Sequence, residues 1–130
     1  MDDIEADVIV PLETPFEDTR GSIQPLVGVA TNDVALVTSR KGAVRANHYH
    51  KTDWHYCYVL SGSIEYHHRP AGSLEPPRID VITSGQMFYT PPLVEHAMRF
   101  LDDTQFIVMS GNPRDRESYE SDVVRISLVS

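Results

Sequence analysis

Cysteine is almost missing: Cys57 is the only one in 130 residues, which rules out an intramolecular disulfide and a thiolate-rich zinc site. Basic residues are also scarce. Eleven Lys+Arg against 19 Asp+Glu leave a formal net charge of -8, and such a surface repels phosphate backbones and anionic lipid headgroups. Neither nucleic acid nor a membrane surface is expected as a partner. No apolar run approaches the roughly 20 residues that span a bilayer. The start, Met1-Asp2-Asp3-Ile4-Glu5, lacks the basic-then-apolar order of a signal peptide, so cytoplasmic residence is expected. No apolar stripe of helical period lasts long enough for a good helix.

What the chain does have is a succession of short β-branched and aromatic runs separated by Gly, Pro, Ser, Asp and Asn clusters. Runs at 33–39, 43–50, 55–60, 63–68, 78–82, 86–90, 96–101 and 105–110 are all strand-sized, and their spacing predicts an all-β sandwich or barrel in a single domain. Ser61-Gly62 joins two of them as a tight hairpin, Gly supplying the positive φ. Residues 69–77, with three prolines, read as an exposed loop. Residues 1–32 are expected to form an arm that packs on the barrel or on a partner subunit through the apolar Val8, Ile9 and Val10. Residues 33–130 form the barrel with a polar tail at 112–122 and a last alternating run at 123–129.

Histidine has to carry any metal chemistry. Five of the six histidines lie between residues 43 and 68, and His96 follows a Pro-Pro turn. His48 and His50 are two apart, so on a strand both imidazoles leave one face, and His55 lies beyond a short turn on a strand that can return beside them. Imidazole suits borderline divalent ions such as zinc, iron, manganese and nickel. An HxH pair alone is as often coincidence as a metal site, and His67 and His68 read as surface or hydrogen-bonded residues.

The intervals around those histidines resemble the cupin superfamily. Its first motif, G-x5-H-x-H-x(3,4)-E-x6-G, is matched in spacing by Gly42, His48, His50, His55 and Gly62, and its second, G-x5-P-x-G-x2-H-x3-N, by Gly85, Pro91 and His96. The resemblance implies a single-domain cupin, an all-β jelly-roll barrel or double-stranded β-helix of the RmlC-like kind. It also implies one divalent first-row transition metal ion (Zn, Fe, Mn or Ni) held by His48, His50, His55 and His96. Three positions depart: His55 stands where the family has Glu, Leu93 where it has Gly and Phe100 where it has Asn. His in place of Glu removes a negative charge from the ligand set and leaves the ion a stronger Lewis acid.

Within the superfamily, Phe16 to Gly21 (FEDTRG) and Arg45 to Tyr49 (RANHY) are similar to segments of dTDP-4-dehydrorhamnose 3,5-epimerases. Tyr89 to Met98 (YTPPLVEHAM) and the His48-Tyr49-His50-Lys51 run look like dTDP-sugar 3,4-ketoisomerases, and residues 45–52 like the zinc-bearing cupin domain of capsule-sugar reductases. This resemblance implies a small-molecule partner of the nucleotide-sugar class, with Arg20 and Arg45 as substrate-binding residues, and a homodimer. Period two puts Arg45 out of phase with His48 unless a bulge intervenes. The epimerases' Asp and Tyr would fall near His67 and near Val108 or Met109, where neither is present.

The expected function is that of a metal-dependent isomerase or epimerase of a keto-sugar nucleotide, the ion polarising the carbonyl while a base removes the neighbouring proton. Glu95 and Tyr89 are the first candidates for that base, with Asp53 and Tyr66 behind them. A metal-dependent dioxygenase, or a non-enzymatic metal- or small-ligand-binding module, are the competing readings.

Overall fold

The computed structural model of the chain describes residues 8–113 and 115–130. In chain order its strands are β1 (Ile9–Val10), β2 (Phe16–Asp18), β3 (Gly21–Ile23), β4 (Asp33–Ser39), β5 (Val44–His50) and β6 (His55–Ser61). They continue as β7 (Ser63–Pro70), β8 (Arg78–Thr83), β9 (Met87–Thr90), β10 (Val94–Phe100) and β11 (Thr104–Ser110), then helix α1 (Arg116–Asp122) and β12 (Val123–Arg125). Two five-stranded antiparallel sheets face each other in the orders β1-β9-β6-β11-β4 and β12-β5-β10-β7-β8, while β2 and β3 form a separate hairpin. This is an all-β jelly roll. No helix among the described residues is long and apolar enough to cross a membrane.

Alternation along each strand decides which side chains enter the barrel. In β6, His55, Cys57 and Val59 are buried while Tyr56 and Tyr58 lie on the outer face. In β10, His96, Met98 and Phe100 pair across the ladder with His68, Tyr66 and Ile64 of β7, so all six share the inner face. One end of the barrel is filled by Val59, Ile64, Ile82, Phe88, Phe100 and Phe106. Burying each of the aromatic rings contributes about 2 kcal/mol. The polar members of the inner rows gather at the other end.

β5 breaks its own alternation. Ala46 and Asn47 both take left-handed conformations (φ 71 and 57), and the pairing with β10 shifts so that His48 faces His96, Ala46 faces Ala97 and Arg45 faces Met98. Asn47 is thus an inserted bulge residue, and it brings Arg45 onto the same inner face as His48. Asn47 is also the anchor of the chain's end: its Oδ1 accepts from Leu128 N and Val129 N, and its Nδ2 donates to Val129 O.

The polar tail at 112–122 contains a helix, which no apolar stripe of helical period announces. Asp115 caps α1 by accepting from Ser118 N at 3.0 Å. Of the 123–129 run, only Val123–Arg125 is a strand. The apolar segment at 8–10 pairs with β9 of its own barrel and places Val8 in the core, so it has an intramolecular use. The expectations for residues 1–7 fall outside the described residues.

Leu93, in the turn before β10, has φ 63, the left-handed region that glycine enters at little cost. Its amide donates to His50 O at 2.8 Å, so the conformation is held in place by the strand that carries the histidine pair. The Leu93 side chain is 54% exposed and has little packing to lose. Leu93→Gly is therefore expected to stabilise the protein by about 0.5–1 kcal/mol, the relief of strain exceeding the added chain entropy. Thermal denaturation checks it: an unchanged or lowered midpoint contradicts the strain.

Candidate metal centre

Four imidazoles meet at the polar end of the barrel. The ring centroids of His48 and His50 are 4.7 Å apart, those of His48 and His96 4.9 Å and those of His50 and His55 4.7 Å. Potential ligand atoms of His48, His50 and His96 lie within 4.8 Å of one another, and those of His50, Asp53 and His55 form a second such group. His50 belongs to both. Nitrogens bound to one ion at about 2.1 Å each stand roughly 3–4 Å apart, so small ring rotations bring the first set into a common shell. His55 enters through the second group, which sequence reading treated as part of one four-histidine set.

The hydrogen bonds fix which nitrogen each ring offers. His50 Nδ1 donates to Asp122 Oδ2 at 3.1 Å, and its Nε2 is buried with no partner. His96 Nδ1 donates to Val94 O at 2.9 Å, leaving Nε2 as the acceptor. An orphaned, buried imidazole lone pair costs free energy unless something electrophilic meets it. A divalent ion does that, and the donor chemistry fits one. Burial holds the pKa of His50 below its ordinary value, His55 adding to the effect, and pushes that of His96 well below, with His48 contributing. Both rings are neutral at physiological pH, the state a metal requires.

Two aspartates brace the cluster. Asp122, the last residue of α1, accepts from His50, from Thr52 N at 2.8 Å, from Thr52 Oγ1 at 2.7 Å and from Asp53 N at 3.1 Å. Asp53 accepts from His55 Nε2 at 3.1 Å and from Trp54 N and Asn112 N, both at 2.8 Å. Burial raises the Asp53 pKa, but those donors outweigh it and hold the carboxyl below its ordinary value.

A cavity of about 180 Å³ opens beside the histidines, its wall including Arg45, His48, His55, His96, Met98 and Tyr119. Tyr119, from α1, stands 6.4 Å from His48 and 5.9 Å from His50 between ring centroids. Arg45 donates to Ser39 Oγ at 2.7 Å and Thr38 O at 3.0 Å. It also lines a second, more open groove of about 640 Å³ with Arg40 and Asp103.

Several expected site residues lie elsewhere. Glu95 neighbours His96 and so faces the opposite side of β10, where it accepts from Arg69 Nε at 2.8 Å and Gly72 N at 3.2 Å. Tyr89 is on the outer face of β9, 4.6 Å from the ring of Tyr56. Neither reaches the cavity, because side chains alternate across a strand. Tyr66 is core, its hydroxyl 2.5 Å from Thr90 Oγ1 and its pKa raised by burial. Arg20 is an exposed hairpin residue that pairs with Asp18 at 2.6 Å and does not line the histidine cavity. His67 and His68 donate to Glu65 and Asp80, each at 2.8 Å. Asp122 and Tyr119 were missed; the Asp115-x-x-Ser118 cap was the one local signal for the helix that delivers them.

Two outcomes test the centre. Protein purified without chelator is expected to carry close to one divalent first-row ion per chain; His48→Ala and His50→Ala lose it, His67→Ala keeps it, and elemental analysis decides. In the metal-free protein, His50 and His96 titrate below the unfolded value of 6.5. Their neutral burial therefore favours the fold fully above that value and progressively less below it, so the midpoint of thermal unfolding falls from about pH 7 to about pH 5. A flat profile contradicts the burial of neutral rings.

No family model and no curated protein matches the chain. Solved structures do. It resembles the 3,4-ketoisomerase QdtA from Thermoanaerobacterium thermosaccharolyticum, solved with TDP, at 22% identity and a TM-score of 0.71, covering 93% of this chain and 89% of that one. The dTDP-4-dehydrorhamnose 3,5-epimerase from Sulfolobus tokodaii aligns at 17% identity and 0.65, covering 95% and 86%. The capsular polysaccharide assembling protein CapF from Staphylococcus aureus aligns at 20% and 0.66, covering 89% of this chain and 34% of that one. The fold is that of the RmlC-like cupins.

Proposed function

We propose that the chain is a metal-binding cupin that isomerises or epimerises a keto-sugar nucleotide. The observation that carries this reading is one cavity bordered by three of the clustered imidazoles, the cation Arg45 and the side chain of Tyr119. The fold supports it as well: QdtA structures hold TDP and, in one case, TDP-4-keto-6-deoxyglucose.

His48, His50 and His96 would hold the ion, with His55 completing the set. When bound, the ion supplies Lewis-acid polarisation of the substrate carbonyl. Polarisation acidifies the C–H beside the ketone. The base that takes this proton and the acid that returns it must lie in the cavity, and with the histidines committed as ligands we assign both roles to Tyr119, which lines it: its phenolate takes the proton and the resulting phenol gives it back. Tyr119 replaces Glu95 and Tyr89 as the base. Removing the proton gives an enediolate, and reprotonation on the neighbouring carbon moves the carbonyl by one position; return to the original carbon from the other face inverts it. No redox partner is consumed.

Arg45 sits where the cavity meets the larger groove, so its guanidinium can hold a diphosphate while the sugar reaches the histidines. The groove has room for the nucleoside.

The test is solvent exchange. Metal-loaded protein incubated with TDP-4-keto-6-deoxyglucose in D2O is expected to introduce deuterium beside the ketone, read by NMR. Tyr119→Phe should slow the exchange by about 10²–10⁴-fold while retaining the metal. Metal-loaded protein that exchanges nothing, or that consumes dioxygen with a phenolic acid or diketone instead, overturns the reading.

A further inference from the structure

The family pattern puts a ligand carboxylate at position 55, and this chain has histidine there. The lost charge is not absent from the site. Asp53, two residues earlier and only 5% exposed, directs Oδ2 at the far nitrogen of the same histidine. We propose that Asp53 is a positioning residue that acts through His55: it fixes the ring with Nε2 protonated, presents Nδ1 to the ion, and returns to the site the negative charge that a glutamate at 55 would have carried. The inference rests on the metal-binding reading above.

Three observations carry it. A carboxylate can only accept, so the 3.1 Å contact commits the Nε2 proton of His55 to Asp53 and leaves Nδ1 as the lone pair. The two neighbouring rings are committed the opposite way, His50 through Asp122 and His96 through Val94 O, and both offer Nε2. The other oxygen of Asp53 is held by the amides of Trp54 and Asn112, which fix the carboxylate from two separate segments without neutralising it. A buried carboxylate satisfied only by neutral donors keeps its full charge, and a cation on the other side of the imidazole complements it. The resulting centre would hold His55 by a different nitrogen from His50 and His96.

The arrangement also alters what His55 does to the ion. A neutral imidazole alone would leave the ion's charge undiminished, whereas an imidazole sharing its proton with a carboxylate donates more strongly and lowers that charge. Asp53 therefore reverses part of the effect expected from replacing Glu by His.

Two measurements on the full chain test this, neither of which needs a substrate. In zinc-loaded protein with labelled histidine, nitrogen NMR is expected to show His55 ligated through Nδ1 and protonated at Nε2, and His50 and His96 ligated through Nε2. Zinc affinity, read by competition with a chromophoric chelator, is expected to fall about 10–100-fold in Asp53→Asn. It should recover in the double variant Asp53→Asn with His55→Glu, where the charge returns at position 55. A merely structural role for Asp53, anchoring Trp54 and Asn112, predicts no dependence on the charge at position 55, because an asparagine oxygen can accept from both amides in the single and the double variant alike. Ligation of His55 through Nε2, zinc affinity in Asp53→Asn within about twofold of the parent, or a double variant as weak as the single one overturns the inference while leaving the metal site standing. A parent protein that binds neither zinc nor cobalt overturns the metal reading itself, and the inference with it.

Discussion

The bulge in β5 is the constraint on which the site depends. Two consecutive non-glycine residues, Ala46 and Asn47, sit at positive φ, a conformation that costs of order 1–3 kcal/mol at each and persists only where the surroundings over-determine it. The surroundings are the chain's own last residues. Asn47 bonds to Leu128 and Val129 through both ends of its side chain, and its carbonyl accepts from Ile126 N at 2.9 Å. Because the tail is tied there, β12 pairs with β5 at His48 to His50, and the helix before it ends with Asp122 against the β5-β6 turn. One inserted residue thus sets the facing of Arg45, the course of the tail and the carboxylate that orients His50.

Electrostatics at the cluster follows from burial. Packing imidazoles together in a buried pocket disfavours protonating His50 and His96, since each charge would lack water and face its neighbours. The protein instead leaves lone pairs inward and spends the ring protons outward, on Asp122, Val94 O and Asp53. The same division makes protons and metal ions competitors for one set of atoms. Two carboxylates 69 residues apart in the sequence are joined through this turn, Asp122 accepting the amide of Asp53.

The strands were legible because their side-chain period is two and their borders carry Gly, Pro and Ser. The pairing of His48 with His50 followed from the same rule. The same rule puts Glu95 on the face opposite His96, where Arg69 pairs with it. Tyr89 is likewise out of phase with the buried Phe88 and Thr90. Arg45 was the reverse case, out of phase by simple counting and restored by a bulge that no turn residue announces. Asp122 and Tyr119 lie 70 or so residues from the histidines they serve, in a polar tail whose contacts no local pattern encodes. Leu93, where the cupin pattern has glycine, takes a left-handed backbone that glycine enters at little cost, a conformation its own identity does not announce.

Helix α1 deserves a physical explanation for its position. The cavity lies between β4, the edge of one sheet, and β5 near the edge of the other, where Val37 of β4 and Ala46 of β5 line it. An open edge beside these polar imidazoles would admit bulk water. The helix lies over that opening with Tyr119 turned toward the cavity, and its charged residues Glu117 and Glu120 remain in solvent. At seven residues it is too short to be stable alone. It is held by its Asp115 cap at one end and by Asp122 at the other, so the contact that orients His50 is also the contact that keeps the cover in place. Loss of Asp122 would free the ring and the cover together, which ties the order of the imidazole cluster to the exclusion of water in a single carboxylate.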